Sequence, residues 1–115
     1  MSDAGTVTHL RADLAGVGSG ALRDAPLLSG LLIAAASAGG LNVAAAPVVR
    51  TGADGGVAAI LLLEPSHLSV HTFPDRGIAL VDVLARDDAA AAKALDVFVR
   101  RLLPATVERD TRVRG

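Results

Sequence analysis

The chain contains no cysteine. That absence removes disulfides, a thiol nucleophile and any cysteine-based zinc site at once, and it agrees with a cytoplasmic protein. Tryptophan and tyrosine are also missing, which leaves Phe73 and Phe98 as the only aromatic residues. There is no basic excess either: the formal net charge is −1 at pH 7. A nucleic-acid partner requires a cationic footprint, often with stacking platforms, so that class is excluded. Residues 1–8 carry no charged-then-apolar targeting pattern. Residues 25–49 are free of charge, a length that spans a bilayer if helical throughout. Gly39, Gly40, Asn42 and Pro47 interrupt it, so it reads as a buried helix followed by a strand, with no membrane partner.

What is present suits one small domain over residues 1–115. Hydrophobic residues make up 51% of the chain, enough for a core. Much of that fraction is alanine, so each buried side chain contributes little area. A chain of this length buries roughly 65% of its unfolded surface, so a homodimer is expected to add stability.

Residues 6–14 alternate and read as a strand. Gly16, Gly18 and Gly20 are too loosely spaced for a dinucleotide loop, and no acidic residue follows at the right distance, so they read as a flexible turn. Asp24 caps a helix with Pro26 in its first turn and Gly39-Gly40 at its end. Residues 41–50 read as a strand and residues 51–56 as a turn. Residues 57–63 form a continuous apolar run, read as a strand buried on both faces or nearly so. Residues 67–73 alternate, residues 74–77 turn, and residues 78–85 form another strand. Asp87 or Asp88 caps a second helix to about Leu103, with Ala91, Leu95, Phe98, Val99 and Leu102 on one face. Residues 105–113 read as a polar edge strand. The order β-α-β-β-β-β-α-β predicts an α+β fold, with an antiparallel sheet and helices on one face.

The chain has three histidines: His9, His67 and His71. Two of them fall within five residues, beside Ser66 and Ser69. On a strand, His67, Ser69, His71 and Phe73 share one face, while Ser66, Leu68, Val70 and Thr72 share the other. Read from the residues alone, three alternatives stay open. This is a polar sheet face, a His-x-x-x-His metal pair without an obvious third ligand, or a serine–histidine nucleophilic site without a G-x-S-x-G elbow.

Pro65-Ser66-His67-Leu68-Ser69-Val70-His71-Thr72-Phe73-Pro74-Asp75 resembles the Glu-Ser-His-Leu-(Ser/Thr)-Ile-His-Thr-Trp-Pro-Glu hallmark of the prokaryotic S-adenosylmethionine decarboxylase proenzymes. Gly77 to Asp82 resembles the strand that follows it, and His9-Leu10 resembles the family's opening strand. The resemblance covers roughly residues 7–103, and its specific part runs from Ser66 to Asp82. It implies a two-layer αβ sandwich, one S-adenosylmethionine decarboxylase-like domain and a homodimer with sites near the interface. It further implies a lyase of polyamine (spermidine) biosynthesis, acting on a small amino-acid substrate and carrying no metal. Self-cleavage at Pro65–Ser66 would turn Ser66 into a pyruvoyl cofactor, with His71 as processing base. The pyruvoyl carbonyl would form a Schiff base with the substrate amine, the part PLP plays elsewhere. Asp75 falls at the ribose-binding carboxylate, Phe73 at the stacking aromatic, and Leu68 among the substrate-binding residues.

The chain departs from the family pattern in four places. Pro65 replaces a glutamate, with Glu64 one place earlier. Ala58 falls where a serine assists processing, a role left to Ser69 or Thr72. Arg86 falls at the proton-donating cysteine, a role left to His67, His71 or water. Asp75 is one methylene shorter than the family's glutamate. These departures raise two alternatives: the same chemistry on ornithine or arginine, with Asp75, Asp82 and Glu64 as acidic partners, or an unprocessed paralogue with a structural or regulatory role.

Overall fold

A computed structural model describes residues 5–115; residues 1–4, part of the segment read for a targeting signal, lie outside the described residues. Six strands form one antiparallel sheet in the order β2-β3-β4-β5-β1-β6. They are β1 (Val7–Ala15), β2 (Val48–Thr51), β3 (Val57–Leu62), β4 (His67–Phe73), β5 (Ile78–Ala85) and β6 (Thr106–Arg114). The helices α1 (Ser19–Leu22), α2 (Ala25–Ala38) and α3 (Asp88–Leu102) complete the fold. α2 packs over β3 and β4, and α3 over β5 and β1. The expected α+β sandwich is therefore present, with the helices on one face of the sheet.

Sequence alternation decides the two faces. Leu10, Ala12 and Leu14 of β1, Leu68 and Val70 of β4, and Val81 and Val83 of β5 point to the helices and are buried with Phe98. The alternate residues line an open face that no helix covers.

The local signals act as expected at both long helices. Asp24 accepts from the Leu27 amide at 3.0 Å and Asp87 from the Ala90 amide at 2.8 Å, each satisfying a first-turn donor that the helix leaves unpaired. Between β4 and β5, Pro74–Arg76 forms a 3-10 turn that ends on Gly77 at φ 66°, a left-handed conformation that costs glycine nothing.

Three expectations are corrected. Ser19–Leu22 is a short helix rather than a flexible turn. Of residues 41–50, only the end enters β2 (Val48–Thr51), apart from an isolated bridge between Val43 and Leu63; Pro47 has no amide hydrogen to give a ladder. β3 is buried on one face only: Val57, Ala59 and Leu61 face the helices, while Ile60 and Leu62 are exposed.

Among the described residues no helix is long and apolar enough to cross a membrane, because α2 stops at Gly39.

Thr72 ties the layers together. Its buried hydroxyl donates to the Leu22 carbonyl at 2.6 Å and accepts from the Val57 amide at 2.8 Å. Thr72→Val keeps the shape and leaves both backbone groups without that partner. A stability loss of about 2 kcal/mol is expected in urea denaturation, since a buried unpaired polar group costs ~1–3 kcal/mol.

Candidate active site

Ser66 immediately precedes β4 and is 9% exposed. Its carbonyl accepts from the Leu63 amide at 2.8 Å, and the Glu64 amide donates to the Asn42 carbonyl at 3.0 Å. Main-chain bonds thus hold the Pro65–Ser66 peptide from both sides. The Glu64–Pro65 bond is cis.

The strand then separates residues that the motif puts close together. β4 pairs without a break on both sides, Leu62 to Ala58 facing His67 to His71, and Leu84 to Ile78 facing His67 to Phe73. At about 3.3 Å per residue, five positions place His71 about 16 Å along the strand from Ser66. His71 also lies on the open face, whereas Ser66 lies in the turn before the strand, where strand parity no longer fixes its side chain. The structure therefore does not bring Ser66 and His71 of one chain together.

Phe73 and Asp75 lie at the far end with His71. The Arg76 guanidinium stacks over the Phe73 ring, 5.6 Å from its centroid. Asp75 is exposed and accepts from Arg23 Nη2 at 3.3 Å. Leu68 is fully buried beneath the helices, because its parity directs its side chain away from the open face.

Among the described residues, two grooves open on the uncovered face. One of about 630 Å³ is lined by His9, Arg11, Asp13, Ser69, His71 and Asp82 among others. The other, of about 370 Å³, includes Arg50, Ala58, His71 and Phe73. His71 stands between them, and Ser66 lines neither.

The departures from the motif now have positions. Ala58 lies directly opposite His71 on the neighbouring strand and offers it no hydroxyl. Thr72 cannot take that role, because its hydroxyl faces the helices and is engaged there, whereas Ser69 lines the larger groove. Arg86 follows β5 and donates to the Gly40 carbonyl at 3.1 Å.

A cluster that sequence reasoning did not assemble lies on the same face. Asp82 accepts from His9 Nε2 at 2.5 Å through one oxygen, and its other oxygen lies 3.4 Å from His67 Nε2. Strand parity places all three on one face, but only the β1–β5 register makes His9 a neighbour of Asp82. Among the described residues no group of three or more acidic, histidine or cysteine side chains is arranged to hold a metal ion.

A family model described as S-adenosylmethionine decarboxylase matches residues 8–115. The chain belongs to the S-adenosylmethionine decarboxylase family. It is 34% identical over 108 residues to an S-adenosylmethionine decarboxylase proenzyme of Brevibacillus brevis, covering 93% of this chain and 80% of that protein. It is 36% identical over 98 residues to an arginine decarboxylase proenzyme of Hyperthermus butylicus, covering 84% and 69%. The crystal structure of the adenosylmethionine decarboxylase from Aquifex aeolicus superimposes with a TM-score of 0.87 at 28% identity, covering 95% of this chain and 90% of that one.

Across the larger groove, Arg11 Nη2 donates to Asp110 at 2.8 Å. This hydrogen bond, with the accompanying charge attraction, holds the Asp110 carboxyl below its ordinary value and raises the Arg11 guanidinium. A carboxyl with a lowered folded pKa contributes above its ordinary value and loses that contribution as pH falls through the folded one. The pair is therefore intact at neutral pH. Carboxyl NMR titration is expected to put Asp110 below the ordinary aspartate range, and Arg11→Gln to return it upward. An Asp110 titration unchanged by that substitution would contradict the pairing.

Proposed function

We propose that this chain is a proenzyme that cuts itself between Pro65 and Ser66 and then decarboxylates S-adenosylmethionine in the cytoplasm, in the service of polyamine synthesis. The observation that carries the reading is Ser66 itself, pinned in a tight turn at the motif position of the family's self-cleaving serine.

The turn suits the cut. The Ser66 hydroxyl attacks the Pro65 carbonyl carbon, the C–N bond breaks, and an ester replaces the amide. Proline at position 65 keeps the carbonyl that this step needs. Elimination then releases residue 65 as a carboxylate, and water displaces the residue 66 nitrogen as ammonia. The pyruvoyl end left at residue 66 supplies a carbonyl for the substrate amine and a sink for the electrons released with carbon dioxide.

The base comes from a second copy. His71 of the same chain lies about 16 Å down the strand. The open face that carries it also exposes Val48 (60%), Leu62 (50%), Ile60 and Leu80, an apolar surface suited to covering by a partner. A homodimer packed through this face brings His71, Phe73 and Asp75 of one copy to Ser66 of the other.

The relative named as an arginine decarboxylase supports arginine as a second substrate reading. Asp75 already accepts a guanidinium, that of Arg23. The unprocessed reading rests on Ala58, which leaves His71 without a hydroxyl opposite it.

Denaturing intact mass is expected to give two pieces, residues 1–65 and 66–115, the second with a pyruvoyl end. Ser66→Ala is expected to remain whole. The β3–β4 and β1–β5 ladders cross the cut, so the pieces should elute together under native conditions and separate only in denaturant. Turnover of S-adenosylmethionine, arginine or ornithine then identifies the substrate. A single uncut mass after long incubation contradicts the proposal and favours an unprocessed paralogue.

A further inference from the structure

Loss of carbon dioxide leaves an electron pair on the substrate carbon, and a proton must reach it. The chain has no cysteine to supply that proton. Arg86 is bound to the Gly40 carbonyl, and an arginine guanidinium is a poor proton donor. We infer that His67 hands the proton to that carbon, with Asp82 and His9 as its positioning residues. This rests on the decarboxylase reading above and names the proton-delivering group of the same site.

The hydrogen bonds fix the arrangement. Arg114 Nη1 lies 3.3 Å from His9 Nδ1. A guanidinium only donates, so His9 Nδ1 accepts and its proton sits on Nε2, facing Asp82. Asp82 presents its second oxygen to His67 Nε2. His67 therefore directs Nε2–H at the carboxylate and leaves Nδ1 as the nitrogen that exchanges protons. Among the described residues His67 Nδ1 has no hydrogen-bond partner. His67 is also the residue bonded to Ser66, so it stays attached to the reacting end after the cut.

His71 has no comparable support, because its ring has no hydrogen-bond partner among the described residues. The division of labour follows: His71 serves the cut and His67 serves turnover. In the step itself, the carbon–carboxylate bond breaks and carbon dioxide leaves. A C–H bond forms with the Nδ1 proton, and the now neutral His67 takes its next proton from water.

Five variants test this. In the uncut Ser66→Ala protein, ring nitrogen NMR is expected to show His9 as the Nε2–H form and His67 protonated at Nε2; Asp82→Asn in that background should perturb both rings. In otherwise native protein, His67→Gln and Asp82→Asn should still cut to the parental extent. Their kcat should fall about 10²-fold or more, the size of a general-acid contribution, while KM holds. Asp82→Glu should recover part of the lost kcat. A neutral His9 protonated at Nδ1, rings unaffected by Asp82→Asn, or variants that keep the parental kcat each overturn the inference. A parent that never cuts overturns the decarboxylase reading and this inference with it. A parent that turns over beside variants that do so equally well overturns the inference alone.

Discussion

Continuous hydrogen bonding of β4 to both neighbours is the constraint on which the site depends. A strand paired on both sides cannot fold back on itself. Its residues keep a spacing of about 3.3 Å and alternate between faces. Ser66 is therefore fixed at one end of the strand, with His71, Phe73 and Asp75 towards the other. A motif that reads as one compact constellation becomes two groups of residues at opposite ends of one strand.

The open face that carries His71 has an unusual character. A solvated sheet face normally alternates polar residues against a buried side. Here the outward positions of β2, β3 and β5 include Val48, Ile60, Leu62 and Leu80, all substantially exposed in a single chain. Towards β1 and β6 the same face turns polar, with Arg11 paired to Asp110 and Asp82 bridging two imidazoles. Apolar area for association and charged grooves for a ligand thus sit side by side. In the homodimer proposed above, a second copy covering this face would bring Ser66 of one chain to His71 of the other and remove the apolar surface from water.

Much of the fold was legible because local signals and tertiary packing agree. β5 (Ile78–Ala85) lies where alternation put it. α3 begins at the Asp87 cap and holds Phe98 in the core. α2 begins at Asp24 and ends at Gly39. The misreadings have physical causes. α1 is four residues long and contains Gly20, too little for periodicity to register. The apolar run of β3 suggests burial on both faces or nearly so, yet Ile60 and Leu62 are exposed. The motif resemblance places Leu68 among the substrate-binding residues, while its parity directs its side chain into the core. The His9–Asp82–His67 cluster joins β1 to β4 through β5, and that register is set by long-range pairing that no local window contains.

The measurement that bears most directly on this account is subunit complementation. Ser66→Ala and His71→Ala chains, each distinguishable by mass, are prepared singly and then co-expressed. If the base crosses the dimer, each variant alone remains whole. In the mixture the His71→Ala chain, which keeps Ser66, is cut with the aid of its partner's imidazole. Cutting of the His71→Ala chain on its own, or no cutting in a mixture whose parent protein cuts normally, would contradict a site shared between two copies.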